Sequence, residues 1–190
     1  EVSPVYVGRK IGQTDFEATT EIDFQPKNSN ETAGMVLRQN ERHHYEFGIR
    51  KKESGRELFL RFVIGSSRNT AVTQEIPAGS VKLRIRGFPK YYRFSYSING
   101  GEFTEIGGIE TKYLEDKDGL ANVNVGLFAS GNGIDSWTNA DFNWFDLETN
   151  PKDPYGNLVT SDPNLPKGYT IFSVGVAEKG IIQKYPFITR

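Results

Sequence analysis

The sequence predicts an all-β fold, a sandwich of two antiparallel sheets, and three observations carry that expectation. Apolar residues recur with period two along most of the chain, aromatic residues make up 13% of it, and 20 Gly and 9 Pro punctuate the alternating stretches. A strand buried on one face alternates in this way because successive side chains point to opposite sides. Aromatic rings suit a pleated, half-buried surface, and Gly and Pro suit the tight turns between strands. No convincing amphipathic helix interrupts the pattern, and no fixed-period repeat suggests a propeller. At 190 residues the chain is sized for one domain and awkwardly short for two.

Phe16 to Phe24 places mostly apolar residues at even positions and acids or Thr between them, a strand with one wet face. Pro26 to Asn30 reads as a polar turn, and Gly34-Met35-Val36-Leu37 begins the next strand. His44 to Arg50 alternates, turns at Glu53-Ser54-Gly55-Arg56 and returns as Leu58 to Ile64, a hairpin. After Pro77-Ala78-Gly79, Val81 to Arg86 alternates cleanly. Tyr92 to Ile98, Asn99-Gly100-Gly101 and Glu102 to Ile106 form the strongest short-range hairpin signal, because Asn-Gly accepts the positive φ such turns need. Val123 to Phe128 and Ala140 to Leu147 follow as strands. Composition shifts near Thr149, so the sequence divides into a sandwich over 1–148, a linker-like stretch over 149–168 and a C-terminal hairpin over 169–190 that could complete the sandwich.

Composition narrows the function classes. Lys and Arg number 23 against 24 Asp and Glu, so no global charge draws the chain to nucleic acid or an anionic membrane. There is no cysteine, which removes disulfides and thiolate metal sites without choosing a compartment. No apolar run has the length of a membrane span. The chain opens at Glu1 with neither Met nor a signal-like stretch, which reads as a processed form or a piece of a longer protein.

A specific set of motifs then appears in order: Val7-Gly8-Arg9-Lys10, Asp15 to Thr20, Asn30 to Met35, His44-Tyr45, Tyr96 to Gly101, Val125 to Gly131 and Ala140 to Phe145. Over about residues 5–148 this series resembles the C-terminal concanavalin A-like domain of glycoside hydrolase family 43, the β-xylosidase and arabinofuranosidase class. The resemblance implies a two-sheet antiparallel jelly roll and a non-catalytic accessory module, a candidate glycan binder, of an enzyme acting on xylan- or arabinan-type polysaccharide. Its implied partners are a catalytic propeller domain and a plant-type poly- or oligosaccharide, and its implied location is extracellular or periplasmic, with the cytoplasm left open. The family's pocket-approaching aromatic is replaced here by Leu120, the candidate for a pocket-completing loop. The family's initial Trp-bearing strand is missing. Two other readings stay open: a free-standing lectin-fold glycosidase, and a structural or protein-binding sandwich.

The candidate sites differ in their chemistry. Glu21-Ile22-Asp23-Phe24-Gln25 imitates the Glu-x-Asp-x-Glu strand of retaining lectin-fold glycosidases, but Gln25 cannot donate a proton as a carboxylic acid does. A solvated strand face is therefore expected, with no catalytic residue. His43 and His44 are adjacent and point to opposite faces of a strand, which rules out a close metal pair. Lys82, Arg84, Arg86, Lys90 and Arg93 among Phe88, Tyr91 and Tyr92 imitate a nucleic-acid platform, yet they alternate with Leu83 and Ile85 as an exposed face would, so no nucleic-acid partner is expected. Trp137, Tyr91 and Tyr92 are the candidates for sugar stacking; Trp137 follows a loop signature, Gly131 to Ser136. Trp144 is expected to be buried, sharing a face with Phe142 and opposite Phe145. Asn28, Asn30, Glu31, Asp116, Asp118, Asp135 and Asp141 offer oxygens of the kind calcium takes, so a structural calcium is compatible with the sequence, although no cofactor is required.

Overall fold

Wherever apolar residues alternate, the chain forms strands, and they pair into two facing sheets. The computed structural model describes residues 5–119 and 121–149, and the backbone of 171–172, 175–177 and 180–182. The strands are β1 (Val5–Lys10), β2 (Phe16–Phe24), β3 (Thr32–Asn40), β4 (His43–Lys52), β5 (Gly55–Ile64), β6 (Ser67–Ile76), β7 (Val81–Gly87), β8 (Tyr91–Ile98), β9 (Thr104–Glu110), β10 (Asn124–Ser130) and β11 (Ala140–Thr149). A single 3-10 turn, Thr111–Leu114, follows β9. Further along lie β12 (Ile171–Phe172), β13 (Gly175–Ala177) and β14 (Gly180–Ile182).

The first sheet runs β1-β10-β3-β4-β5-β6 and the second β11-β2-β7-β8-β9-β12. All pairs within β1–β11 are antiparallel, and β12 lies parallel to β9 over two residues. β13 and β14 pair with each other. Residues 150–168 of the expected linker lie outside the described residues.

The core fills the space between the sheets. Met35 and Leu37 from β3, Tyr45, Phe47 and Ile49 from β4, and Leu58 and Leu60 from β5 meet Phe16, Ile22, Leu83, Ile85, Tyr92 and Phe94 from the second sheet. The rings interlock edge-on: Tyr45 with Phe62 at 5.5 Å between centroids, Phe47 with Phe94 at 5.6 Å, and Tyr45 with Tyr92 at 6.1 Å. Such pairs add to the stabilisation from burial because edge and face carry opposite partial charge. At the Asn-Gly hairpin Asn99 and Gly100 take φ of 54° and 72°, and the Gly101 N–H donates to the Ile98 carbonyl at 3.0 Å.

Two strands had no clear sequence signal. β6 alternates weakly because it is an edge strand, half-exposed along its middle. β1 is the opposite edge, and its Val5 and Val7 are 68% and 69% exposed.

One expectation is overturned in β11. Phe142 pairs with Ile22 but Trp144 pairs with Glu21, leaving Asn143 as an extra residue in a β-bulge. That extra residue reverses the alternation. Phe142, Phe145 and Leu147 turn toward the core, while Trp144 turns outward and is 40% exposed.

Candidate binding site

The loop between β10 and β11 is built around one buried carboxylate. Glu31, 2% exposed, sits at the end of the turn between β2 and β3. Its Oε2 accepts the Lys27 N–H at 2.6 Å and the Asn28 N–H at 3.1 Å. Its Oε1 accepts from Ser136 Oγ at 2.7 Å, Thr138 Oγ1 at 2.9 Å and Asn28 Nδ2 at 3.1 Å. Burial alone would raise the Glu31 pKa; Ser136, the Asn28 and Lys27 amides and Thr138 override it and push it down to about 2. A charged, fully partnered carboxylate thus staples two loops that are distant in sequence.

The neighbouring side chains tighten the same loop. Asn30 Nδ2 donates to the Gly131 carbonyl at 2.9 Å, and Asn132 Nδ2 donates to Thr32 Oγ1 at 3.2 Å. Arg68 donates to Asn132 Oδ1 at 3.1 Å. A Cβ on Gly131 would lie 1.9 Å from the Ile134 carbonyl oxygen, so the turn closes only on glycine. Trp137 stands between two residues tied to Glu31 and is 96% exposed. Beside it a groove is lined by Val5, Phe24, Ser130, Ile134 and Thr138. The arrangement presents a flat apolar ring on a fixed mount, which is what stacking on a sugar or on another protein surface requires.

The other predicted rings do not join it. Tyr92 is 1% exposed, with its ring against Phe16 and Tyr45, so no sugar can reach it; its inward strand position makes it a core residue. Tyr91 is half-buried and packs on Phe88 at 4.8 Å between centroids. The register also separates Tyr91 from Trp137. Tyr92 aligns across the second sheet with Gly87, Phe16 and Thr149, whereas Phe24 aligns with Ala140, where the Trp137 loop enters β11. The two ends are about 26 Å apart at the rise of a strand. Leu120 lies outside the described residues.

The carboxylate row on β2 lies on the outer face, as expected of a solvated strand. Glu21 accepts from Asn143 Nδ2 and Ser80 Oγ, each at 3.2 Å, and Gln25 donates to Asp23 Oδ1 at 2.9 Å. The Asn143 amide, with Ser80 and the Trp144 indole, holds the Glu21 pKa below its ordinary value. His43 contacts Asn40 and His44 contacts Glu46, each at 3.2 Å. The basic face is matched by acids: Arg86 lies 3.8 Å from Glu17 and Arg93 lies 3.2 Å from Glu105.

The oxygen donors considered for calcium scatter. Asn28, Asn30 and Glu31 belong to the loop staple, while Asp116 closes its own turn by accepting the Asp118 N–H at 2.8 Å. Asp116 Oδ2 also accepts from Gln39 and Asn122, both at 3.0 Å. Among the described residues no three His, Asp or Glu side chains converge on one point, and the carboxylate oxygens of Glu31 and Asp116 face hydrogen-bond donors. That donor set fits a hydrogen-bonded staple better than a calcium ion. Among the described residues no helix is long and apolar enough to cross a membrane.

Comparison with known proteins adds a family. A family model described as the β-xylosidase C-terminal concanavalin A-like domain matches residues 1–148. The chain is 31% identical over 149 residues to a non-reducing end α-L-arabinofuranosidase, BoGH43B, of Bacteroides ovatus, covering 76% of this chain and 28% of that protein. It is 26% identical over 148 residues to a xylosidase/arabinosidase of Butyrivibrio fibrisolvens, covering 77% and 29%. The fold is similar to a solved Bacteroides ovatus GH43B structure at a TM-score of 0.70 and 29% identity, over 76% of this chain and 29% of that one. A xylan β-1,4-xylosidase from Bacillus halodurans shares the fold at a TM-score of 0.70 and 20% identity, over 77% and 30%. The chain thus spans less than a third of the length of these relatives.

Proposed function

The chain belongs to the family of β-xylosidase C-terminal concanavalin A-like domains, and on that footing we propose that it is an accessory module of a family 43-type glycoside hydrolase. In this reading it serves an enzyme acting on xylan- or arabinan-type polysaccharide outside the cytoplasm and hydrolyses no glycosidic bond itself. The observation that carries the reading is the match itself, which covers 28–29% of curated relatives named as arabinofuranosidase or xylosidase/arabinosidase. The site geometry agrees. Acid–base hydrolysis needs two carboxyl groups facing each other across a sugar, and Glu21 and Asp23 instead stand on one outward strand face beside the amide of Gln25.

The two ends of the sandwich take different partners in this reading. The end carrying Tyr91 and the loop after the 3-10 turn faces the catalytic propeller, with Leu120 nearest its sugar pocket. The opposite end offers Trp137 to a glycan chain, its two neighbours Ser136 and Thr138 held by the Glu31 staple.

The test is an activity assay of the 190-residue chain with aryl β-xyloside and aryl α-arabinofuranoside. No turnover above buffer is expected. Turnover that disappears in Glu21→Gln or Asp23→Asn would overturn the reading.

A further inference from the structure

We propose that Trp144, with the side chains around it on the outer face of the second sheet, forms a further glycan platform that takes the apolar face of a pyranose in a neutral polysaccharide. The proposal rests on the accessory-module reading for its ligand class and on the geometry of β11 for its place.

Trp144 is the odd residue among the outward positions of its strand. Asp141, Asp146 and Glu148 occupy the others, aligned with Asp23, Thr19 and Glu17 of β2. The residues that β11 uses for packing, Phe142, Phe145 and Leu147, all turn inward against the core. A tryptophan needed only for packing belongs with them. The bulge at Asn143 directs Trp144 away from them, toward solvent.

The strand that carries the ring is also fixed. Trp144 is directly paired with Glu21 on the adjacent strand. Asn143 and Ser80 grip the Glu21 carboxylate, each at 3.2 Å, and Thr20 Oγ1 donates to the Trp144 carbonyl. The backbone that carries the indole is therefore fixed before any ligand arrives, which limits the freedom lost on binding. Glu21, which the sequence marks as a tempting but incomplete catalytic acid, lies beside Trp144 on the sheet and gathers Asn143 and Ser80 around it.

The surroundings suit a sugar. A pyranose presents a C–H face and a rim of hydroxyls, so it needs one flat apolar ring flanked by donors and acceptors. The row through Trp144 continues across the sheet as Glu21 and Lys82. Asp146 projects from the same face one step along. The basic side chains nearby are largely matched by Glu17 and Glu105, which leaves a mixed polar surround and favours a neutral over a strongly anionic ligand.

The chain has two tryptophans, so each can be made the lone reporter. Trp137→Phe leaves only Trp144, and Trp144→Phe leaves only Trp137. The full chain is titrated with xylohexaose, a chain of pyranose rings, while intrinsic fluorescence is followed. A saturable change in the Trp137→Phe protein is expected. Trp144→Ala is expected to weaken binding about tenfold. Glu21→Gln should weaken binding about threefold and shift the emission of the unliganded protein, since the charge on the residue paired with Trp144 is lost. Should the alanine variant fail to fold, Trp144→Phe with affinity electrophoresis in soluble arabinoxylan reads the same loss. A response confined to the Trp144→Phe protein would overturn the platform and leave the glycan on Trp137. No response in either protein would overturn both glycan contacts. Release of monosaccharide during the titration would overturn the accessory reading itself.

Discussion

Glu31 carries a charge in a place where burial opposes charge, and five donors make that arrangement stable. Its folded pKa of about 2 lies below the ordinary value of 4.5, so its contribution is complete above about pH 4.5 and is lost as pH falls through about 2. The size of that displacement corresponds to about 3 kcal/mol. Glu31→Gln should therefore lower the thermal midpoint by roughly 6–12 °C at pH 7. It should also flatten the acid limb of the stability curve between about pH 4.5 and 2, as read by circular dichroism. Five hydrogen-bond donors make up this staple, so the same melts should be indifferent to EDTA. A variant that kept the wild-type acid limb would show that another carboxylate holds the loop.

In the strand pairs, the close approaches are decided by glycine. Gly34 on β3 faces Gly48 on β4, and a Cβ on Gly34 would lie 2.3 Å from the Phe47 carbonyl oxygen and 2.4 Å from the Gly48 Cα. Backbone atoms cannot retreat as a flexible side chain would, so Gly34→Ala must separate two strands of the first sheet. A cost of about 2–3 kcal/mol is expected, typical of overpacking, and a lowered urea midpoint would show it. An unchanged midpoint would mean the sheet absorbs the methyl by sliding. β11 shows the complementary device, in which one added residue, Asn143, decides which of its aromatic residues face the core.

Across the whole molecule the two sheets share one core, built from β2 to β10 and flanked by β11. Among the described residues of the C-terminal segment, Ile171 and Phe172 pair with β9. A chain ending at Thr149 should unfold in one cooperative transition with a midpoint within a few degrees of the full chain, as read by calorimetry. Loss of cooperativity would place part of the core in residues 150–190. The ends of the sandwich carry different chemistry because antiparallel strands return every other loop to the same end. The Trp137 loop and the Tyr91 hairpin therefore stand at opposite ends of the second sheet.

Alternation along the chain is a local property, and it determined the strands, the two-layer class and most of the core, from Phe16 in β2 to Phe94 in β8. The ordered motifs determined the family, because their spacing survives without any knowledge of how the sheets face each other. Other features depended on partners far away in the chain. Tyr92 and Tyr91 look equivalent in sequence, but only the second sheet's inward face distinguishes them. Trp144 turns outward because its strand inserts one residue against β2, and a bulge leaves no mark on residue type. Glu31 is one more acidic turn residue until Ser136 and Thr138, more than a hundred positions away, donate to it. Period two sets which side of a strand a residue takes; which sides are covered, and by what, was decided by tertiary packing.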